Sequence, residues 1–148
     1  EVLFVGEVAS KTYFEEIIQF ISFNNLNEIV KILPPTTNIL KYYHEADIIL
    51  LPSLHEGFPN VLLESWACKK PVLISKEADT ASIVKPNHGG WTFNVANTED
   101  LTKKLNLILQ LDSGQIINQG ELGYKIATNR YSISQITDRY YKLYSELY

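Results

Sequence analysis

The stretch LLPSLHEGFPNVLLESW occupies residues 50–66. It opens with the end of an apolar run, DIILL, at 47–51. A run of that length without polar alternation suits a strand buried on both faces. Pro52 stops it, and 52–58 read as a loop. Pro59 fits the first position of a helix, where its missing N–H costs nothing. The helix is expected over 59–68. The backbone N–H groups of Asn60, Val61 and Leu62 then have no partner inside it. Such amides form a site for an anion, most naturally a phosphate. Gly57 lets a ligand come close to the backbone.

Glu64 stands one turn after Asn60 on the same helical face. Helical side chains lean toward the N-terminus, so Glu64 reaches back to the same mouth. Leu62, Leu63 and Trp66 lie opposite and anchor the helix. Glu56 faces the mouth from the loop. A carboxylate suits the task of accepting hydrogen bonds from neighbouring hydroxyls, each worth roughly 1.5–3 kcal/mol. A ligand with phosphates in the middle and hydroxylated rings at both ends uses every part, and a nucleotide sugar is such a ligand. Singly, either glutamate is also read as a charge–dipole contact worth about 0.3–1 kcal/mol. With Gly57, the Pro-started helix and the preceding strand, the ligand reading is preferred.

Outward from this stretch, strands alternate with helices. Val2–Val5 is a first strand, buried on both faces by its pattern. A helix over 10–24 follows, capped by Ser10, with Tyr13, Ile17, Phe20 and Ile21 as its apolar stripe. EIVKIL is a strand, NILKYYHEA a short helix, and PVLIS a strand. Residues 77–85 read as a loop or short helix, and WTFN as a short last strand. Helices are expected over 98–111, 113–129 and 132–148. The order implies one α/β domain, a Rossmann-like parallel sheet with helices on both faces. Ligands of such sheets sit at the carboxyl ends of the strands.

The 148 residues suffice for one core. A hydrophobic fraction of 45% and a charged fraction of 20% are those of a globular fold. The net charge of −4, with no basic run, argues against a nucleic-acid surface. No apolar stretch reaches the length of a membrane span. The lone cysteine, Cys68, fits a reducing compartment and reads as a packed thiol. The chain opens on a strand pattern without an initiator Met, as a piece of a longer protein would.

ADIILLPSLHEGFPNVLLESWACKKPVLIS resembles the core of the retaining glycosyltransferases of family 4, which have the two-domain GT-B fold. The hallmark is Glu, seven residues, Glu, here Glu56 and Glu64. It is framed by Ala46, Asp47, Pro52 and Ser53 before, and by Ala67, Pro71, Val72 and Ser75 after. GGWTF and YSISQITDRYYKLY resemble the later strand and closing helix. The resemblance implies the C-terminal, donor-binding half of a GT-B enzyme. Glu64 would bind the ribose hydroxyls of the donor. Glu56 would act as the catalytic carboxylate, contacting and placing the transferred sugar. Amides around Phe58, Pro59, Asn60 and Val61 would hold sugar and diphosphate. The 34–37 loop would lie near the nucleobase. Implied, too, are transfer with retention, no metal and no cofactor, a cytoplasmic place at the inner face of the membrane, and a role in polysaccharide or glycolipid synthesis.

The departures are specific. Lys70 stands where the family has Gly, and Pro59 and Asn60 replace Gly and an apolar residue. EADTASIV replaces a segment ending in an acidic residue, with Glu77 and Asp79 nearby but not equivalent. The family's basic pair and acceptor domain would precede Glu1. The chain alone is therefore expected to be inactive.

His55 either touches the donor sugar or is an exposed loop residue. His44 and His88 read as surface residues. Lys69 and Lys70 fit a helix C-terminus. Trp91 reads as core. Ile133, Ile136, Tyr140, Leu143 and Leu147 form a stripe explained by core packing. Tyr141, Tyr144 and Tyr148 offer a surface for the missing domain or a homodimer. An epimerase of the same fold and a non-catalytic nucleotide-binding or assembly domain are the competing readings. No Gly-x-Gly-x-x-Gly follows a strand, which disfavours a nicotinamide cofactor.

Overall fold

A computed structural model describes residues 1–79, 82–85 and 88–147 of the chain. It falls into two compact units, Glu1–Ile39 and Leu40–Tyr148.

The first unit holds β1 (Val2–Val5), α1 (Lys11–Phe23) and β2 (Val30–Leu33). The strands pair in parallel, with Val2 opposite Val30 and Val5 opposite Leu33. Ser10 caps α1 as expected, its hydroxyl accepting the Tyr13 N–H at 3.3 Å. Two expectations fail here. Val2, Leu3 and Phe4 are 42, 41 and 50% exposed, so β1 is not buried on both faces. Tyr13 and Phe20 are exposed as well. The more buried row of α1 is Phe14, Ile17 and Ile21, one step around the helix from the expected stripe. A pair of adjacent aromatics such as Tyr13 and Phe14 does not say which of the two turns inward.

The second unit begins in α2 (Ile39–Glu45) and continues through β3 (Ile49–Leu51), α3 (Asn60–Ala67), β4 (Val72–Ser75) and β5 (Gly90–Phe93). It ends in α4 (Thr98–Leu109), α5 (Ser113–Tyr131) and α6 (Ile133–Ser145). The three strands are parallel in the order β3-β4-β5. All four residues of the central strand β4 are buried, and alternation sends them to two cores. Val72 and Ile74 pack with Leu62 and Trp66 of α3 and Ala127 of α5. Leu73 packs on the other face with Trp91, Phe93 and Ile108 of α4. Helices thus cover both faces of this parallel sheet, as the strand–helix alternation predicts, and Trp91 is core.

Local chemistry explains the helix starts. Asn97 caps α4 through the Asp100 N–H. Asp112 and Gln115 form a reciprocal capping box on α5. Gly120 and Gly123 of α5 leave room for the end of α3: a Cβ at Gly120 would collide with the Lys69 carbonyl, and one at Gly123 with the Trp66 indole. Lys69 takes a left-handed conformation, φ 58°, just past α3. No residue of α6 is buried. Ile133, Tyr140, Leu143 and Leu147 are 87, 56, 53 and 68% exposed, so core packing does not explain their stripe. Tyr148 lies outside the described residues.

Candidate functional site

The loop after β3 leads into α3 at the carboxyl end of the strands. Its course is fixed from the neighbouring strand. Ser75, the last residue of β4, is fully buried, and its hydroxyl donates to the Ser53 carbonyl. The same oxygen accepts the Ala78 N–H at 3.2 Å. One buried side chain therefore ties the loop after β3 to the turn after β4.

Pro59 is fully buried but stands one residue before α3, not inside it. Its φ of −78° and ψ of 85° form an inverse γ-turn. The Asn60 N–H consequently donates to the Phe58 carbonyl at 3.0 Å, and the Leu62 N–H to the Pro59 carbonyl at 3.0 Å. Two of the three amides expected to await an anion are thus engaged by the chain itself. Gly57 is exposed, and a Cβ there would meet open space. Phe58 is 40% exposed and rests its ring 6.1 Å from that of Tyr131 at the end of α5. His55 is exposed, Glu56 half-buried, Asn60 exposed and Val61 half-buried.

Glu64 lies on the exposed side of α3, flanked by the buried Leu62, Ser65 and Trp66. Its carboxylate accepts a 2.8 Å hydrogen bond from the Tyr43 hydroxyl of α2. Tyr43 is only 5% exposed. Burial first, then the hydrogen bond and the negative charge of Glu64, push its phenol well above the ordinary tyrosine range. It therefore stays protonated and donating. Nothing in the sequence marks Tyr43 over Tyr42, or joins position 43 to position 64; only the packing of α2 does so. Ser75, a polar residue closing an apolar strand, carried a readable signal.

The remaining residues take structural roles. Trp66 donates from Nε1 to the Gly89 carbonyl at 2.8 Å. Lys69 pairs with Glu121 at 2.9 Å and lies over the Tyr124 ring, in keeping with a helix-end cation. Burial pushes the Cys68 thiol up, which disfavours the nucleophilic thiolate. Asp79 is buried, and its two oxygens accept the Ile83 and Val84 N–H groups at 2.9 Å each. Glu77 accepts the Val95 N–H at 3.0 Å. Both acids after β4 thus brace loops. Thr80 and Ala81 of that segment lie outside the described residues, and no helix forms in the described part. Among the described residues, no group of three or more His, Cys, Asp or Glu could hold a metal ion. No helix there is long and apolar enough to cross a membrane.

Residues 1–125 match the family described as glycosyl transferases group 1. An N,N'-diacetylbacillosaminyl-diphospho-undecaprenol alpha-1,3-N-acetylgalactosaminyltransferase of Campylobacter jejuni is 30% identical over 118 residues, 80% of this chain and 31% of its own length. An amylovoran biosynthesis glycosyltransferase of Erwinia amylovora is 32% identical over 99 residues, 62% of this chain and 24% of its own. The chain thus spans less than a third of these relatives. Among solved GT-B glycosyltransferases, HepE of Anabaena in complex with UDP superposes with a TM-score of 0.87 at 22% identity. That match covers 97% of this chain and 40% of HepE, and it establishes the fold.

Proposed function

Because the chain belongs to the glycosyl transferases group 1 family, we propose that it is the donor-binding domain of a retaining glycosyltransferase of the family 4 type. In this reading the intact protein moves a hexosyl group from a nucleoside-diphosphate sugar to an acceptor, without metal or cofactor. The observation that carries it is the placement of Glu56 and Glu64 around one loop–helix junction at the carboxyl end of the sheet, with Glu64 already oriented by a hydrogen bond.

Glu64 would accept the ribose hydroxyls. Glu56 would contact and place the transferred sugar. The open face at Gly57 would admit the sugar and diphosphate. With the Asn60 and Leu62 amides engaged, backbone contact falls to Phe58 and Val61. His55 borders the same opening. The relatives' names, one with an undecaprenol-linked saccharide and one for amylovoran biosynthesis, support work on a bacterial polysaccharide or glycolipid; in this reading that work takes place at the inner face of the membrane. An acceptor domain outside this chain would complete the enzyme, since reaction needs the sugar enclosed and oriented.

The test is donor turnover by the intact protein, read as nucleoside diphosphate release from UDP-, GDP- and ADP-sugars with a lipid-linked saccharide as acceptor. One donor class is expected to turn over. Glu64→Ala should raise its KM about ten- to one-hundred-fold, the loss of one charge-assisted contact. Glu56→Gln should lower kcat instead, and the new glycosidic bond should keep the donor's anomeric configuration. Release that is the same in both variants would overturn the assignment.

A further inference from the structure

We propose that Tyr43 is a positioning residue, whose buried hydroxyl presets the Glu64 carboxylate for the ribose of the donor. The inference rests on the reading of Glu64 as the ribose-binding group.

The two residues come from different helices, α2 and α3, and meet at 2.8 Å. They differ sharply in freedom. Tyr43 is 5% exposed, so packing fixes its ring. Glu64 lies at the surface, where an untethered side chain samples several rotamers. A flexible carboxylate loses that freedom when it grips a ligand; one held beforehand loses little. The tether costs no necessary acceptor capacity. A carboxylate offers about four lone-pair sites on two oxygens. The Tyr43 bond uses one on Oε2, leaving Oε1 and part of Oε2 for a pair of adjacent hydroxyls. The phenol stays protonated, so it remains a donor to the carboxylate.

Calorimetric titration of the intact protein with UDP, GDP and ADP, each beside its 2′,3′-dideoxy form, tests this. The proteins compared are the native form, Tyr43→Phe, Glu64→Ala and the double variant, with thermal melts to verify folding. For the nucleotide that binds, Tyr43→Phe should weaken affinity about three- to ten-fold, the range for one side chain that must be immobilised on binding. It should leave the dideoxy form unchanged, and it should add nothing to Glu64→Ala. A purely structural tyrosine would weaken both forms equally. That result, or unchanged affinity in Tyr43→Phe while Glu64→Ala loses affinity, would overturn the positioning role and leave the Glu64 reading standing. Unchanged affinity in Glu64→Ala would overturn both. Should Tyr43→Phe fail to fold, Tyr43→Leu, which also lacks the hydroxyl, carries the same comparison of ribose and dideoxy forms.

Discussion

Gly123 touches the Trp66 indole where any side chain would intrude. Trp66 is fully buried at the centre of the core beneath α3, and its indole N–H is committed to Gly89. It has no room to retreat: a Cβ on Gly89 would also stand 2.7 Å from the same ring. Gly123→Ala should therefore destabilise by about 1–3 kcal/mol despite alanine's better helix propensity, measured by urea unfolding. A stability gain would mean that α5 does not pack this closely. At this scale the placement of Glu64 one turn after Asn60 was legible, because a helix turn relates those two positions in any fold. Tyr43 was not legible. Its role depends on which of two adjacent tyrosines α2 turns toward α3, and local sequence does not encode that choice.

At the scale of elements, the start of α4 carries a titratable brace. Asp100 accepts both the backbone N–H and the side-chain amide of Asn94, at 2.8 and 2.7 Å. The Asn94 backbone bond foremost, with the charges of Lys104 and Lys76, holds its carboxyl below the usual range. A carboxyl depressed by folding adds stability above its unfolded value, near 3.9, and loses that contribution as pH falls through the lowered folded value. Asp100→Asn should thus melt below the native protein at pH 6, and the two melting temperatures should converge as pH drops below about 4. A gap independent of pH would assign the effect to packing. The start of α3 shows where reading elements from sequence falls short. Pro59 signalled the helix correctly, yet it forms a γ-turn before the first turn and closes amides expected to be open. Proline restricts φ, whereas ψ of 85° is set by the buried environment of its ring.

At the scale of the molecule, the parallel strands and two-sided helix cover followed from continuous apolar runs alternating with amphipathic ones. The misassigned surfaces, α6, β1 and β3, where Leu50 is 37% exposed although the run at 47–51 was expected to be buried on both faces, share one cause: an apolar pattern shows that a face is suited to burial, but not what covers it. Ile133→Ser should change stability by no more than about 0.5 kcal/mol, whereas Leu62→Ala, in the core beneath α3, should cost about 2–5 kcal/mol. Chemical denaturation of both checks this, and equal costs would return α6 to the core. The central claim is that the Glu56–Glu64 junction receives a nucleoside diphosphate. The most direct measurement is amide chemical-shift mapping of the intact labelled protein with UDP, GDP and ADP. The account predicts shifts around residues 55–64 with one of the three, abolished by Glu64→Ala. Saturating shifts elsewhere that survive Glu64→Ala, or none with any nucleotide at millimolar concentration, would contradict it.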